Sequence, residues 1–406
     1  MIGMLLQGDY AKDIRVRKEA ESMVSAGIEV VVICTWMSGQ ERSEVIKGVR
    51  VIRIGKHASG RRIDIRHLTM SWFFIYWLFY FKAPKVIKEY KVEHLHVHDL
   101  YLVKTALKLK KYIHGKVIFD SHENYPELLE VWFLTKKILP VRIKNNLFFK
   151  PSRWKRHEKK VLGKVDKVIT VVEEMTEKYL RENKNLKEDH FLKISNFERL
   201  DFANKATQLA SDDTFAFKPE TFYVTYVGGI GPIRGVDTVI EAIAKLQSTD
   251  KNVEFVILGA GHKDYMRSLH DLVEELHLEG KVHFLGYKPF ETVNYYMQKT
   301  GVNIIPHKKT DHTDNTIPHK LFQIFLSKAP LLVSSCNPLK RYVDLHDGGW
   351  VFEASNPQDL SEKIVTIQNT DDSEKQEKVM NAYNSAIDKY NWEAESERLI
   401  AYYKSL

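Results

Sequence analysis

Short apolar strands alternate with helices at the start of this chain. Ile2 to Leu6 is an apolar strand, and after a loop with one glycine the segment Ile14 to Ala26 has the pattern of a helix that Gly27 ends. Glu29 to Cys34 is the next apolar strand. Because parallel strands need a crossover connection, which a helix usually supplies, this order predicts a parallel α/β sheet.

The same alternation begins again in the second half. Phe222 to Val227 is a strand, Gly228 to Gly235 is a glycine-rich loop, and Val236 to Leu246 is a helix. Between the two series the chain has no clear periodicity and is rich in Asp, Thr, Ser and Ala, which is typical of a linker. With 406 residues, two domains are expected. The predicted organisation is an N-terminal domain over residues 1–200, a linker over 201–218, a C-terminal domain over 219–385 and a final helical segment over 386–406.

Two segments of the second half have the composition of phosphate sites. In the loop Gly228 to Gly235, glycine lets backbone N–H groups approach an anion. Further on, Pro318 ends a loop, and Lys320 to Ser327 is apolar with helical spacing. Unpaired N–H groups at the start of such a helix, with the charge of Lys320, suit a phosphate, and Gln323 would reach a hydroxyl of the same ligand. The alternative is an ordinary helix whose lysine and glutamine are solvated.

Histidine motifs follow two apolar strands of the first half: HLHVHDLY from His94 to Tyr101, and VIFDSHENYPE from Val117 to Glu127. Open parallel sheets bind ligands at the carboxyl ends of their strands, so both motifs are candidate functional loops. His94, His96 and His98 alternate and would share one face of a strand, an arrangement that metal ligands can have. A zinc site usually has four ligands, and no Cys or acid cluster supports one in the sequence, so we expect no metal.

Aromatic and basic side chains are concentrated in two stretches. Eight of the ten residues from Trp72 to Phe81 are aromatic, and this stretch is too short to span a bilayer, which needs roughly 20 apolar residues. From Lys136 to Lys164 there are eleven Lys and Arg residues against the single acid Glu158. With a formal net charge of +8, this composition favours peripheral docking on an anionic membrane. The alternatives are a helix buried between domains and a basic, solvated helix. No nucleic-acid-binding motif is present, so no nucleic-acid partner is predicted.

The compartment is predicted from the N-terminus and the cysteines. Met1 to Leu6 is a short apolar segment that Gly8 and Asp9 interrupt, so no signal peptide is expected. Cys34 and Cys336 each end an apolar strand and are predicted to be reduced thiols in the core. These features predict a cytoplasmic protein, with peripheral contact to the inner face of the plasma membrane.

Several of these segments together resemble a known family. The segment PHKLFQIFLSKAPLLVS, the loop GGIGPIRG and the strand ends VILGAG and VHFLGY are similar to the donor half of family 4 glycosyltransferases of the GT-B fold. DIRVRKEAESMVSAGIEVVVI and DSHENYPE resemble the other half. The resemblance covers nearly the whole chain. It implies an α/β fold of two doubly wound Rossmann-like domains that face a central cleft, with the donor on the C-terminal domain and the acceptor on the N-terminal one.

The resemblance implies a donor site in which several family residues are replaced. Lys320 and Arg234, which takes the position of the family's loop lysine, would neutralise the diphosphate, whereas Gly229 stands where the family has an arginine. Gln323 replaces the glutamate that holds the ribose, and Asn315 replaces one that often holds the sugar. An amide is a neutral and usually weaker acceptor than a carboxylate. The implied donor-binding residues are Gly8, Gly228, Gly229, Arg234, Gly286, Tyr287, Asn315, Pro318, His319, Lys320, Leu321 and Gln323.

The resemblance also implies residues for the chemistry and for the acceptor. A carboxylate near the reacting hydroxyl would serve as general base. The implied activity is sugar transfer from a UDP- or GDP-type donor to a glycan or lipid-linked acceptor, with retention and without a cofactor, in surface polysaccharide or glycoconjugate assembly. The alternatives are a non-catalytic nucleotide-sugar-binding or scaffold subunit, and a sugar-nucleotide epimerase or hydrolase on the same fold. The implied catalytic residues are His122, Glu123 and His98, and the implied acceptor-binding residues are Arg15, Tyr125 and Glu127.

Overall fold

The chain divides into two compact units, each with its own parallel sheet. The computed structural model describes residues 1–56, 65–135, 139–206, 215–247 and 252–406. The first unit comprises Met1–Asn196 with Glu395–Leu406, and the second comprises Phe197–Ala394. Residues 207–214 of the predicted linker and residues 136–138 of the basic stretch lie outside the described ranges.

The first unit contains eight strands and eight complete helices in the described ranges. Its strands are β1 (Ile2–Leu6), β2 (Val30–Trp36), β3 (Ser43–Ile46), β4 (Val49–Lys56), β5 (His94–His98), β6 (Val117–Ser121), β7 (Lys167–Thr170) and β8 (Phe191–Lys193). Its helices are α1 (Ile14–Ser25), α2 (Ile65–Phe73), α3 (Trp77–Glu89), α4 (Leu100–Leu109), α5 (Tyr125–Thr135), α6 (Leu139–Phe148), α7 (Pro151–Leu162) and α8 (Glu173–Glu182).

The sheet of the first unit has the order β3-β4-β2-β1-β5-β6-β7-β8. All neighbouring strands are parallel except the β3–β4 hairpin. Helix α1 begins after Asp13, whose Oδ1 accepts a hydrogen bond from the Val16 N–H at 3.0 Å. The predicted strand–helix–strand unit at the N-terminus is therefore confirmed, whereas the hairpin was not predicted. The carboxyl ends of β1, β5 and β6 meet at one edge, which brings the two histidine motifs together.

The second unit is a six-stranded parallel sheet with the order β11-β10-β9-β12-β13-β14. Its strands are β9 (Phe222–Val227), β10 (Val253–Leu258), β11 (Val282–Gly286), β12 (Val302–Ile305), β13 (Leu331–Ser334) and β14 (Trp350–Phe352). Its helices are α9 (Val236–Leu246), α10 (Lys263–Glu275), α11 (Val293–Gln298), α12 (Lys320–Leu326), α13 (Asn337–His346), α14 (Pro357–Asn369) and α15 (Asp372–Asp388). The last helix, α16 (Trp392–Lys404), begins in this unit and continues into the first.

The position of Gly235 shows why the glycine loop has this sequence. Gly235 has φ +68°, and a Cβ there would lie 1.8 Å from the Pro306 carbonyl oxygen, so only glycine fits where the loop turns into α9. The helix then buries Val239, Ile240 and Ile243 against the sheet. The predicted strand, glycine loop and helix are thus confirmed.

Two stretches of the sequence do not form single elements. Between Leu192 and Phe197 the strand ends at Lys193. The aromatic stretch is not one segment, because Phe74, with φ +55°, separates α2 from α3. This bend buries Tyr76 and Phe79 and leaves Trp72, Phe73 and Phe81 exposed.

Among the helices of the described ranges, none combines the length and the apolar content needed to cross a membrane. Cys34 and Cys336 are both buried free thiols, as predicted. Burial, the largest influence, raises the pKa of Cys34 to about 12, so this thiol stays protonated and unreactive.

Candidate active site

Gly228 follows β9 directly and brings the glycine loop against Lys320. It has φ +133°, a conformation that favours glycine, and its N–H donates to the Leu258 carbonyl at 2.8 Å. A Cβ at this position would lie 2.9 Å from Lys320 Nζ. Glycine therefore allows this close approach between the backbone and the ammonium group.

The Lys320 ammonium group is buried, and the described residues supply no counter-ion to it. Its Nζ lies 3.9 Å from the centroid of the Tyr226 ring. No residue in the described ranges accepts a hydrogen bond from it. Burial, and then the charge of Arg234, hold the pKa of Lys320 well below its ordinary value. Because an unpaired buried cation costs free energy, the position suits a bound anion.

Arg234 and His307 lie beside Lys320. Arg234 Nη1 donates to His307 Nε2 at 3.0 Å. Burial, and then Arg234 and Lys320, hold the pKa of His307 well below its ordinary value, so the neutral ring can accept this bond. His307 thereby orients the guanidinium group. Sequence analysis missed His307, although it follows the end of β12 closely, where parallel sheets place ligand groups.

The start of α12 differs from the prediction. The N–H of Leu321 donates to the Pro318 carbonyl at 3.2 Å and that of Phe322 to the His319 carbonyl at 3.1 Å, so these two groups are not unpaired. The Leu321 side chain is fully buried. The predicted role of Leu321 in donor binding stays a prediction, and the attraction for an anion rests on the side-chain charges of Lys320 and Arg234.

Gln323, which replaces the family's ribose-binding glutamate, is paired with a carboxylate. Its Nε2 donates to Glu198 Oε2 at 2.8 Å. Glu198 is buried, and its Oε1 accepts from the Arg199 N–H at 2.9 Å. A carboxylate is thus present beside the amide, although it is supplied from a different part of the chain. At the other replaced position, Asn315 Nδ2 donates to the Asp311 carbonyl at 2.7 Å.

The remaining predicted donor residues lie on accessible backbone. A Cβ added to Gly229 or Gly286 would meet no atom within 4 Å, and at Gly8 the nearest atom would be 3.9 Å away. Tyr287 is 79% exposed. Pro318 and His319 are half-buried. These positions leave space for a ligand, and their roles in donor binding stay predictions.

In the first unit, Asp120 at the end of β6 is the centre of a buried network. Its Oδ2 lies 2.9 Å from Arg15 Nη1 and 2.8 Å from His98 Nδ1. Burial opposes ionisation of Asp120, but Arg15 and the hydrogen bonds of His96 and His98 outweigh it and hold its pKa well below the ordinary range. His98 Nδ1 also lies 3.2 Å from an Arg15 nitrogen. Since the contact with Asp120 is shorter, we infer that Nδ1–H donates to the carboxylate.

This network defines the surroundings of the histidines. His98 is fully buried, and burial with the neighbouring His96 lowers its pKa to about 4, while its predicted catalytic role stays a prediction. The acids that the sequence did not place beside the histidines are present. Ligand-type atoms of Glu19, His96, His98 and Asp120 lie within 4.8 Å of one another. Because Arg15 already pairs with Asp120 there, the group is a hydrogen-bonded ion-pair network in which an added cation would face a fixed positive charge.

Arg15 and Glu127 also have different surroundings from those predicted. Arg15 is buried in its pair with Asp120, and its predicted contact with an acceptor stays a prediction. Glu127 is buried too, and its Oε1 accepts from Lys178 Nζ at 2.8 Å. Both residues stabilise the interior of the first unit. Glu123 is exposed and Tyr125 is half-buried, so these two side chains stay candidates for contact with substrate.

His122 pairs with Asp99, a residue that sequence analysis did not single out. His122 Nε2 lies 3.1 Å from Asp99 Oδ1, and the Tyr101 hydroxyl donates to Asp99 Oδ2. Asp99 precedes α4, but its side chain does not cap that helix, and its φ of +71° is strained for a residue other than glycine. Burial, and then Glu123, raise the pKa of Asp99 to about 7. The strained backbone of Asp99, the direction of its side chain and its raised pKa therefore indicate that it positions His122.

We expect Asp99→Asn to lower donor turnover about tenfold and to change its pH dependence. Above about pH 7, Asp99 is ionised and accepts a hydrogen bond from the Nε2–H of His122. Below that pH, Asp99 is protonated, and its O–H favours the His122 tautomer whose Nε2 accepts a hydrogen bond. The wild type should therefore show an inflection near this pH that the variant lacks. The measurement is nucleotide release from pH 5.5 to 9, with the exposed Asp189→Asn as control. An inflection that persists in Asp99→Asn would assign the titration to another group.

Comparisons with known proteins agree with this architecture. The sucrose-phosphate synthase of Thermosynechococcus elongatus superposes with a TM-score of 0.76 at 17% identity, covering 100% of this chain and 98% of that one. Anabaena Alr3699/HepE in complex with UDP superposes with a TM-score of 0.68 at 14% identity, covering 100% of both chains. These likenesses establish the fold.

Sequence comparisons identify the family. Residues 14–197 match the model of Glycosyltransferase Family 4, and residues 209–385 match that of Glycosyl transferases group 1. A curated relative, the putative colanic acid biosynthesis glycosyltransferase WcaL of Salmonella typhimurium, is 22% identical over 167 residues, or 41% of this chain. The match likewise spans 41% of the length of that relative. With both units matched and the two parallel sheets in place, the chain belongs to the family 4 glycosyltransferases of the GT-B fold.

Proposed function

We propose that the protein transfers a sugar from a UDP- or GDP-type donor to a glycan or lipid-linked acceptor, with retention and without a bound metal. The observation that carries the proposal is the buried Lys320 ammonium group beside Arg234. Among the described residues, no carboxylate forms an ion pair with either side chain. Two adjacent cations at a glycine loop are suited to a diphosphate, which carries charge of the opposite sign.

The same two cations would assist the chemical step. When the bond between sugar and diphosphate breaks, negative charge develops on the diphosphate. Lys320 and Arg234 are already oriented, by the Tyr226 ring and by His307, so they would stabilise that charge without reorganising. In many other transferases a divalent cation neutralises this charge.

The acceptor is proposed from the relatives and from the first unit. WcaL is named for colanic acid biosynthesis, and the superposed WaaG structure is described as a glycosyltransferase involved in lipopolysaccharide biosynthesis. These names support a role in surface polysaccharide assembly. Exposed Glu123, beside His122, is the candidate general base for the acceptor hydroxyl. Exposed aromatic side chains on α2 and α3 support peripheral contact with a membrane that carries a lipid-linked acceptor.

Thermal stabilisation by nucleotides tests this function. A ligand that binds the folded state raises the melting temperature by mass action. We expect a rise with UDP or GDP and their sugar conjugates that grows with concentration and is smaller with ADP. No rise with any nucleotide would remove the donor proposal and favour a scaffold subunit.

A charge swap separates an active donor site from a scaffold that kept the fold. Gln323→Glu alone should destabilise the protein, because two carboxylates would then meet where an amide and Glu198 now lie 2.8 Å apart. The double variant Glu198→Gln/Gln323→Glu restores one hydrogen bond and moves the carboxylate to α12. A charge-assisted bond to a ribose hydroxyl is stronger than a neutral one, so donor affinity should rise about fivefold.

Calorimetric titration with the nucleotide that stabilises the protein measures this change, and unfolding in urea shows whether the double variant folds. A folded double variant with unchanged affinity would mean that α12 does not contact the ribose.

A further inference from the structure

A basic cavity lies in the first unit, whereas the glycine loop and Lys320 belong to the second. Its volume is about 550 Å³, and it is formed by α4, α7 and the bend at Phe74 between α2 and α3. No Asp or Glu lines it in the described part of the chain. Its charged side chains are Lys104, Lys108, Arg153, Arg156, Lys160 and Lys164.

The cations of this cavity lie close enough to lower the pKa of neighbouring basic groups. Burial, and then Lys108, Lys164 and Lys160, lower the pKa of Lys104. Burial, and then Lys104 and Lys160, lower the pKa of His157 to about 3. Within the described ranges, none of the lining lysines and arginines forms an ion pair with a carboxylate. An anion in the cavity would relieve this repulsion, whereas a solvated basic face would have spread its charges apart.

The floor and one wall of the cavity are held in place. Arg153 donates to the carbonyls of Leu147 at 3.0 Å and of Trp72 at 3.1 Å, and so connects the ends of α6 and α2. The Phe74 ring stacks on the His157 ring with their centroids 4.0 Å apart. It also packs edge-to-face with the Trp154 ring, with centroids 4.9 Å apart. The site is therefore formed before any ligand binds.

Exposed apolar side chains border the same region. Trp72, at 47% exposure, lies under the Arg153 guanidinium group at 5.3 Å, and Phe73 beside it is 48% exposed. On α6, Ile143 is 60% and Leu147 is 50% exposed. A basic cavity next to exposed aromatic and aliphatic side chains matches the boundary between lipid headgroups and acyl chains.

We propose that this cavity binds the phosphate of an anionic membrane lipid headgroup while the exposed side chains of α2 and α6 enter the interfacial layer. The inference deepens the proposed function and rests on its membrane-linked acceptor. It assigns the phosphate contact to Lys108, Lys160 and their neighbours rather than to net charge alone.

The test is sedimentation of the full chain with phosphatidylcholine vesicles that contain about 30% phosphatidylglycerol. The cavity variant is Lys108→Gln/Lys160→Gln, and the matched control is Lys159→Gln/Lys187→Gln, two exposed lysines of the same unit outside the cavity. Lys108 and Lys160 together should raise the partition coefficient of the protein between vesicles and water roughly 25-fold. We expect that loss in the cavity variant, a loss below about threefold in the control, and no binding to pure phosphatidylcholine.

Other outcomes would overturn the inference. Equal losses in both variants would mean non-specific attraction by net charge. Inorganic pyrophosphate that binds through Lys108 and Lys160, without vesicle binding, would identify a soluble phosphate as the ligand. Binding of a single-stranded oligonucleotide through the same lysines, without vesicle binding, would identify a nucleic-acid site. The UDP-induced melting shift is measured on every variant, so a failure at the cavity is distinguishable from a failure of the donor proposal.

Discussion

Replacing Lys320 by methionine is expected to weaken nucleoside diphosphate binding roughly 100-fold and, in the same variant, to stabilise the ligand-free protein by about 1–3 kcal/mol. The opposite signs follow from one observation, a buried ammonium group that has no hydrogen-bond acceptor and no counter-ion among the described residues. Methionine is also unbranched and only one heavy atom shorter than lysine, so we expect it to pack against the Tyr226 ring. It removes the charge that the free protein must desolvate and that a diphosphate would use.

The pH dependence of stability provides a second signature of Lys320. Because its pKa in the folded, ligand-free state is held well below the unfolded value, the unfolded chain binds more protons between those two values. The contribution of Lys320 to stability therefore becomes more favourable as the pH rises through that window. The Lys320→Met variant should lack this contribution. Its stability advantage over the wild type should therefore decrease as the pH rises.

The measurements for Lys320→Met are calorimetric titration with UDP and GDP and unfolding in urea at several pH values. Lys263→Met is the control, since Lys263 is an exposed lysine of the same unit at the start of α10. It should change neither affinity nor stability appreciably. A Lys320→Met protein that binds the nucleotide as tightly as wild type would show that the diphosphate binds elsewhere.

The second large effect is expected at Asp120. Asp120→Asn should destabilise the protein by about 3–5 kcal/mol, because it leaves the Arg15 guanidinium group buried without its counter-charge. The double variant Arg15→Met/Asp120→Asn removes both charges and should recover much of that loss. The recovery separates an unpaired charge from simple loss of packing.

The pH dependence again has a definite sign for Asp120. Its folded-state pKa is held well below the ordinary range, so its contribution to stability is fully present above the unfolded value of about 3.9. That contribution is lost as the pH falls through the unfolded value toward the folded one. Urea unfolding between pH 3 and 7 should show wild-type stability converging toward that of Asp120→Asn at the acid end. Parallel curves would contradict the ion pair.

The second unit shows how far local sequence patterns extend to a site. Gly228 to Gly235 and Lys320 were predicted as the phosphate-binding elements, and the structure brings Gly228 and Lys320 together. The same patterns gave no indication of Glu198, which lies 125 residues before its partner Gln323. They also missed His307, although the end of an apolar strand is a signal that could have identified it.

In the first unit, local patterns located the motifs but not the surroundings of their side chains. The motifs around His98 and Glu127 were recognised, but their side chains were predicted to face a ligand. The structure buries His98 against Asp120 and Glu127 against Lys178. A motif identifies the strand end on which a residue lies, but neighbouring elements decide whether its side chain meets solvent or the interior.

The sequence by itself determined the two strand–helix series, the glycine loop and the helix that carries Lys320, because these depend on hydrophobic periodicity and on the backbone freedom of glycine over a few residues. Only the tertiary structure decided which charges are paired. Arg15 has its counter-ion in Asp120, 105 residues away, whereas Lys320 has none in the described ranges. The cost of a buried charge depends on every group within a few ångströms, and folding brings those groups together from distant parts of the chain.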